Sequence, residues 1–264
     1  MADTLTPEIT TDRATVYRST WRDLAATLPT NMPRASLAIV DGPYNMKKAE
    51  WDTFKSWDHF VAWYRPEMEE LSRVLDTSAN VYLWGTDTSA SALRPLMADL
   101  GWRRRTRVIW DKVNPPSMFG AARMSEWVDA TEVADHYQRL GPYFQAPPST
   151  SNIWQFSTKR RALEQLPGEI RPHRVTGRPM LTAMHPCQKP LAFYDRLIRS
   201  SSRPGDTVLE PYGGTLRAAV ACHRLPPSEA RRAIVCEPHG PYIEAVRPSL
   251  EWVPPTVDGL GLFG

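Results

Sequence analysis

The sequence predicts an α/β fold, a doubly wound and mainly parallel sheet interrupted by an inserted irregular module. Three observations carry this expectation. Short apolar runs alternate with amphipathic helical stretches in both the first and the last part of the chain, the pattern of βαβ units. Between them, from about Asn114 to Arg178, the periodicity fades and prolines, aromatics and arginines are scattered, as in a set of long functional loops. The chain has 264 residues, 42% of them hydrophobic, which suffices for one large domain with an insertion and a sizeable core.

Taken in order, residues 1–13 read as a loose lead-in, and Thr15-Val16-Tyr17 as a short strand. Trp21 to Leu28 predicts a short helix that ends before Pro33. Ser36 to Val40 predicts a buried strand with Asp41 at its carboxyl end. Ser56 is an N-cap for a helix running to about Leu75, with a kink expected at Pro66. Asn80 to Trp84 reads as a strand, Thr88 to Leu100 as a helix closed by Gly101, and Arg105 to Trp110 as a further strand. After the irregular stretch come a helix (Leu191 to Ser201), a strand (Thr207 to Glu210), a helix (Leu216 to Arg224), a strand (Ala233 to Glu237) and a short helix (Tyr242 to Val246). No internal repeat is evident.

Composition excludes several classes. A net charge of +3 is too mild to demand a polyanionic partner. The local clusters say more: Arg103-Arg104-Arg105 with Arg107, Lys159-Arg160-Arg161, and the arginines from Arg171 to Arg178 are either solvated faces or phosphate contacts. Most of the ten Trp belong in the core. The three cysteines, Cys187, Cys222 and Cys236, form no Cys-x-x-Cys pair, which fits a reducing compartment and argues against a zinc site or a disulfide framework. No apolar stretch reaches spanning length, and Met1 to Thr11 lacks the basic and apolar regions of a signal peptide, so a cytoplasmic location is expected.

Two segments carry chemistry. Asp41-Gly42-Pro43-Tyr44 follows a predicted strand, and ligands of open α/β sheets sit beyond the carboxyl ends of strands. A base amino group is a poor nucleophile because its lone pair is delocalised. A carboxylate and a backbone carbonyl that accept its two N–H groups favour a pyramidal nitrogen, and an aromatic ring can stack on a base swung out of the duplex. As a bare tetrapeptide, Asp-Gly-Pro is equally a strand-to-turn junction. The second segment joins Pro204-Gly205-Asp206 and Val208-Leu209-Glu210 to Gly213-Gly214 and a helix beginning near Thr215, with Glu237 ending the next strand. A glycine turn between strand and helix lets backbone approach a nucleotide-like ligand, and an acid after the next strand suits ribose hydroxyls.

Together and in this order the segments resemble the amino-methyltransferases that act on exocyclic nitrogens of DNA bases, in the β-class arrangement of catalytic half first and cofactor half last. Asp41, Pro43 and Tyr44 match that family's Asp-Pro-Pro-Tyr motif, and Asn45 its usual continuation. His185, Pro186, Lys189 and Pro190 match a His-Pro-x-x-Lys-Pro segment, and Val208, Leu209, Pro211 and Gly214 match Val-Leu-Asp-Pro-Phe-x-Gly-Ser-Gly, with Glu210, Tyr212 and Thr215 as mild changes. Ser151-Asn152-Ile153-Trp154 resembles the lead-in to the cofactor region. The resemblance implies an S-adenosylmethionine (SAM)-dependent methyltransferase fold. It implies catalytic residues Asp41, Gly42, Pro43 and Tyr44, and a cofactor site of Gln188, Lys189, Pro190, Glu210, Tyr212, Gly213, Gly214, Thr215, Glu237 and Pro238. Residues 1–113 then form the catalytic half, 114–180 a target-recognition module and 181–264 the SAM-binding half. The implied partner is double-stranded DNA, with a homodimer compatible and neither membrane nor metal expected.

Two departures fall on the motif loops. Gly42 replaces a proline, which predicts a looser loop. Leu216 replaces a glycine, where a side chain would either crowd the methionine portion of SAM or reshape the turn. Adenine-N6 transfer is the leading expectation, with cytosine-N4 transfer and a non-catalytic nucleic-acid-binding or partner subunit as alternatives. Pro186-Cys187-Gln188 also resembles a cytosine-C5 nucleophile motif, but it precedes a helix and lacks its partner motif. Asn114-Pro115-Pro116-Ser117 lacks the stacking ring and reads as a loop, and His185 as structural. Trp84 is either core or a wall of the base pocket, and Arg105 and Arg107 either contact phosphate or mark a sheet edge.

Overall fold

A computed structural model of the chain describes residues 5–28, 34–113, 129–146, 150–156, 170–172, 179–181 and 188–251. The elements in chain order are β1 (Ile9–Thr10), β2 (Ala14–Tyr17), α1 (Trp21–Thr27), β3 (Ala35–Val40), α2 (Trp57–Val74), β4 (Leu75–Gly85), α3 (Asp87–Asp99), β5 (Arg103–Asp111), β6 (Thr131–Gln138), β7 (Ile153–Gln155), β8 (Ile170–Pro172), β9 (Pro179–Leu181), α4 (Leu191–Ser201), β10 (Thr207–Glu210), α5 (Arg217–Arg224), β11 (Arg232–Cys236) and α6 (Gly240–Glu251). Nine strands form one sheet in the order β1-β2-β11-β10-β3-β4-β6-β5-β7, while β8 and β9 pair separately. From β2 to β4 all neighbours are parallel, and β6 runs antiparallel to both β4 and β5.

Side-chain alternation along the central strands builds two cores. Leu37, Ile39, Tyr82, Trp84, Val208 and Val235 join α4, α5 and α6 on one face. Ala38, Val40, Val81, Leu83, Leu209 and Cys236 join α1, α2 and α3 on the other. Period-2 strands buried on both faces read as continuous apolar runs, which is why they were legible.

Local chemistry sets the helix ends. Thr20, Ser56 and Thr86 cap α1, α2 and α3 by accepting from backbone N–H groups three residues on. Gly101 closes α3 in the left-handed region, at φ +80°. α2 runs through Pro66 as one element, and α3 likewise contains Pro95.

The main difference from expectation lies in the stretch read as irregular. Thr131–Gln138 forms β6, an interior strand between β4 and β5, and Ile153–Gln155 forms β7 at the sheet edge. β6 carries Asp135, His136 and Gln138 buried, so its polar residues conceal an interior strand. Each is satisfied: Arg94 and Arg107 donate to Asp135, and His136 and Gln138 both pair with Asn80. β5 is not an edge, since β6 and β7 flank it.

Candidate active site

The crossovers from β3 to β4 and from β10 to β11 leave two adjacent parallel strands in opposite directions, so a crevice opens between the carboxyl ends of β3 and β10. A cavity of about 680 Å³ occupies it. Its walls include Asp41, Gly42, Pro43 and Tyr44 from the loop after β3, and Tyr212, Gly213, Gly214 and Thr215 from the turn after β10. Gln188, Lys189, Glu237 and Pro238 complete the predicted residues on its surface. The two distant segments are thus brought together. Pro190 and Glu210 do not line it: Pro190 caps α4, and Glu210 lies fully buried beneath the turn, accepting from the Ala218 N–H at 3.0 Å. Burial pushes the Glu210 carboxyl up to about 8. His185, Pro186, Cys187 and Asn114 to Ser117 lie outside the described residues.

The loop after β3 is organised by a residue with no motif signal. Asp52, 2% exposed, accepts from the backbone N–H groups of Tyr44 (2.6 Å), Asn45 (2.8 Å), Met46 (3.1 Å) and Lys48 (3.3 Å). Asn45 and Lys47 take left-handed φ values of 61° and 58°, which turn these amides inward. The asparagine side chain closes the loop by accepting from the Phe54 N–H at 3.0 Å.

Gly42 does not loosen this loop. A Cβ there would lie 2.3 Å from the Tyr64 hydroxyl and 3.0 Å from the Tyr212 ring. Tyr64, fully buried on α2, occupies the space and donates to the Pro43 carbonyl at 3.0 Å. Its ring packs edge-on against Phe60 and Trp63, so the hydroxyl is fixed. Burial, reinforced by the nearby Asp41, Glu67 and Asp52 carboxylates, pushes the Tyr64 phenol up, so it remains a donor. Leu216 resolves likewise. Its side chain is buried in the core, and its backbone takes φ 51°, the conformation that the family's glycine would supply. The turn thus keeps the left-handed backbone that a glycine would give it, and the Leu216 side chain does not line the cavity.

Within the Asp41-Gly42-Pro43-Tyr44 segment, the Tyr44 hydroxyl donates to Asp41 Oδ1 at 2.5 Å. The Lys189 Nζ lies 2.8 and 2.9 Å from the two Asp41 oxygens, 3.0 Å from the Tyr44 hydroxyl and 3.1 Å from Glu132 Oε2. Lys189, expected among the cofactor residues, therefore places its charge on the Asp41 carboxylate. Glu132 and Lys112, which pair at 2.9 Å, were missed. Both sit at the carboxyl end of the sheet because antiparallel β6 begins where β5 ends. Burial alone would raise the Glu132 carboxyl, but the Lys189 and Lys112 ammonium groups outweigh it and hold it below its ordinary value.

The cofactor side has the donors and acceptors of a nucleoside site. Glu237 accepts from the Gly214 N–H at 2.6 Å and the His239 N–H at 2.7 Å, and burial raises its carboxyl to about 7. The Gln188 side-chain amide, on the cavity wall, has buried nitrogen and oxygen atoms with no hydrogen-bond partner among the described residues. Buried polar atoms are normally paired, so this amide points to a ligand. These residues fit SAM: Glu237 and the Gly213-Gly214 backbone suit its nucleoside, and the same cavity continues to Asp41.

Comparison with known proteins agrees with this geometry. A DNA methylase family model for N6 and N4 methyltransferases matches residues 35–247, and the chain belongs to this family. SAM is its cofactor and DNA its substrate class. The chain is 23% identical to the Type II methyltransferase M1.MboII of Moraxella bovis over 237 residues, covering 78% of this chain and 85% of that protein. Among solved structures, it resembles PvuII DNA methyltransferase (cytosine-N4-specific) with a TM-score of 0.73 at 16% identity, covering 93% of this chain and 89% of that one. It resembles an M1.HpyAVI–SAM complex with a TM-score of 0.61 at 17% identity, covering 89% and 98% respectively. Among the described residues no helix is long and apolar enough to cross a membrane, and no His, Cys, Asp and Glu cluster is arranged to hold a metal ion.

Proposed function

We propose that this chain methylates adenine N6 in double-stranded DNA in a sequence-specific manner. The observation that carries this reading is the single cavity in which Asp41 faces the glycine turn after β10. SAM, when bound, would supply an electrophilic methyl group from its sulfonium, the S–C bond giving way to the new N–C bond and leaving a neutral thioether. Asp41 accepts one N–H of the target amino group and the Gly42 carbonyl accepts the other, so the nitrogen lone pair is released toward the methyl carbon. The methylated nitrogen sheds one proton, which the Asp41 carboxylate takes up and passes to solvent. Tyr64 supports this arrangement by engaging the Pro43 carbonyl, not that of Gly42. Tyr44 stacks on the extruded base once its hydroxyl leaves Asp41.

Glu237, the Gly213-Gly214-Thr215 turn, Tyr212, Pro238 and Gln188 hold the cofactor, while Glu210 and Pro190 shape the elements beneath it. Target recognition falls to the parts of residues 114–180 outside β6 and β7, whose arginines and aromatics suit phosphate and base contacts. The buried free cysteines Cys222 and Cys236 accord with a cytoplasmic location. Cytosine-N4 transfer is the second reading, favoured by the fold similarity to a cytosine-N4-specific enzyme. Incubation with labelled SAM and unmethylated genomic DNA, followed by digestion to nucleosides, separates them. N6-methyladenine is expected; N4-methylcytosine would move the reading to the alternative, and no labelled base with no SAM binding would refute both.

A further inference from the structure

Four side chains of alternating charge run in a row through the catalytic end of the cavity: Lys112, Glu132, Lys189 and Asp41, each within 3.1 Å of the next. Their charges cancel, and each ion is held by the one behind it, so removing any member would leave its neighbour a buried charge with one partner fewer. The Lys189 side chain is 1% exposed, and its Nζ stands 5.3 and 5.5 Å from the ring centroids of Tyr44 and Trp84. Its backbone is fixed as well, because it immediately precedes the Pro190 cap of α4. A pinned ammonium therefore sits directly beside the carboxylate that receives the target amino group.

This places a donor next to an acceptor. Adenine presents an amino donor beside the N1 acceptor, and cytosine presents an amino donor beside the N3 acceptor. Guanine and thymine present the reverse, a carbonyl beside a ring N–H, which would set a donor against Lys189's donor and an acceptor against Asp41's acceptor. We propose that the Lys189–Asp41 pair reads this shared edge: Asp41 accepts from the amino group while the Lys189 ammonium donates to the ring nitrogen next to it. An entering base replaces one of the ammonium's present partners on Asp41 or Tyr44, and Glu132 keeps the ammonium in position during the exchange. Glu132, backed by Lys112, is thus a positioning residue. The pair admits adenine and cytosine and rejects guanine and thymine, so the choice between the two admitted bases rests on other contacts. This inference depends on the methyltransferase reading above.

The test crosses a substrate change with a residue change. Duplexes carry the mapped target site with either the natural base or its deaza analogue, in which the ring nitrogen beside the amino-bearing carbon is C–H (1-deazaadenine or 3-deazacytosine). Wild-type protein should lose about 10- to 100-fold in kcat/KM on the analogue, the cost of facing a buried charged donor with no acceptor. Lys189→Met should be slow on both duplexes, with the difference between them reduced to about threefold or less, and with SAM affinity by calorimetry unchanged as a check of folding. If Lys189→Met turns over too slowly to rate, the same two-by-two ratio is read from duplex affinities in the presence of S-adenosylhomocysteine. Glu132→Gln should shrink the analogue penalty partway, a response that a purely structural role would not produce. Equal wild-type activity on both duplexes, or an undiminished penalty in Lys189→Met, overturns this inference alone. Absence of methyl transfer to any DNA overturns the methyltransferase reading and this inference together.

Discussion

Gly42 is the residue at which sequence and structure diverge most usefully. A glycine in place of proline suggests a loose catalytic loop, yet the space of the missing side chain is filled by a tyrosine that arrives from a helix 22 positions later in the numbering, Tyr64 against Gly42. Pairing of that kind is invisible in a linear motif. Gly42→Ala should therefore destabilise the fold by about 1–3 kcal/mol through overpacking, measured by urea denaturation, and Tyr64→Phe in the same chain should recover part of the loss. Equal stability of Gly42→Ala and wild type would refute the packing account. Glu237 offers a second prediction. Its folded value of about 7 lies above the ordinary 4.5, so the ligand-free fold binds this proton more tightly than the unfolded chain and loses that stabilisation as pH rises between the two values. Ribose hydroxyls donate to the ionised carboxylate, so SAM affinity should rise about tenfold from pH 6 to pH 8 and release a proton on binding. Calorimetry in buffers of different ionisation enthalpy reads both, and Glu237→Gln should flatten the pH dependence.

Elements were legible where apolar patterning coincided with burial and illegible where polar side chains were buried in pairs. β3, β10 and β11 announce themselves as short aliphatic runs, and the acids that follow them fall at the cavity or beneath its wall. β6 does not, because Asp135, His136 and Gln138 are polar yet buried. Burial lowers the His136 imidazole to about 4, so it stays neutral and stacks on Tyr82 at 4.3 Å. Hiding β6 also hid Glu132 at its start. The loop after β3 shows the same limit, since its organiser, Asp52, is identifiable only from the four amides that converge on it. Asp52→Ala strands these donors, and it should lower kcat/KM for DNA by about tenfold or more while leaving SAM affinity within about threefold. Loss of SAM binding instead would show that the loop supports the cofactor side.

For the whole molecule, the order of the two halves along the chain was the strongest sequence signal, and the sheet explains it: β3 and β10 are distant in sequence and hydrogen-bonded neighbours in space. Charge placement is a whole-molecule property that the sequence alone left open between solvated faces and phosphate contacts. Arg103, Arg104 and Arg105 begin β5, roughly 20–25 Å from its site-facing end at the usual strand rise, and Arg107 is paired with Asp87 and Asp135. Lys47 and Lys48 are exposed on the loop after β3. DNA affinity should thus weaken with salt, and the slope should fall by about one for each of Lys47 and Lys48 replaced by Gln, with little change for Arg103→Gln and Arg105→Gln. The central claim is that one cavity holds the target base at Asp41 and SAM at the glycine turn. Its most direct test is Asp41→Ala, assayed for SAM affinity by calorimetry and for methyl transfer to DNA by labelled product. The account predicts SAM binding within about threefold of wild type and transfer reduced by at least about a hundredfold. Transfer at the wild-type rate in that variant would contradict it.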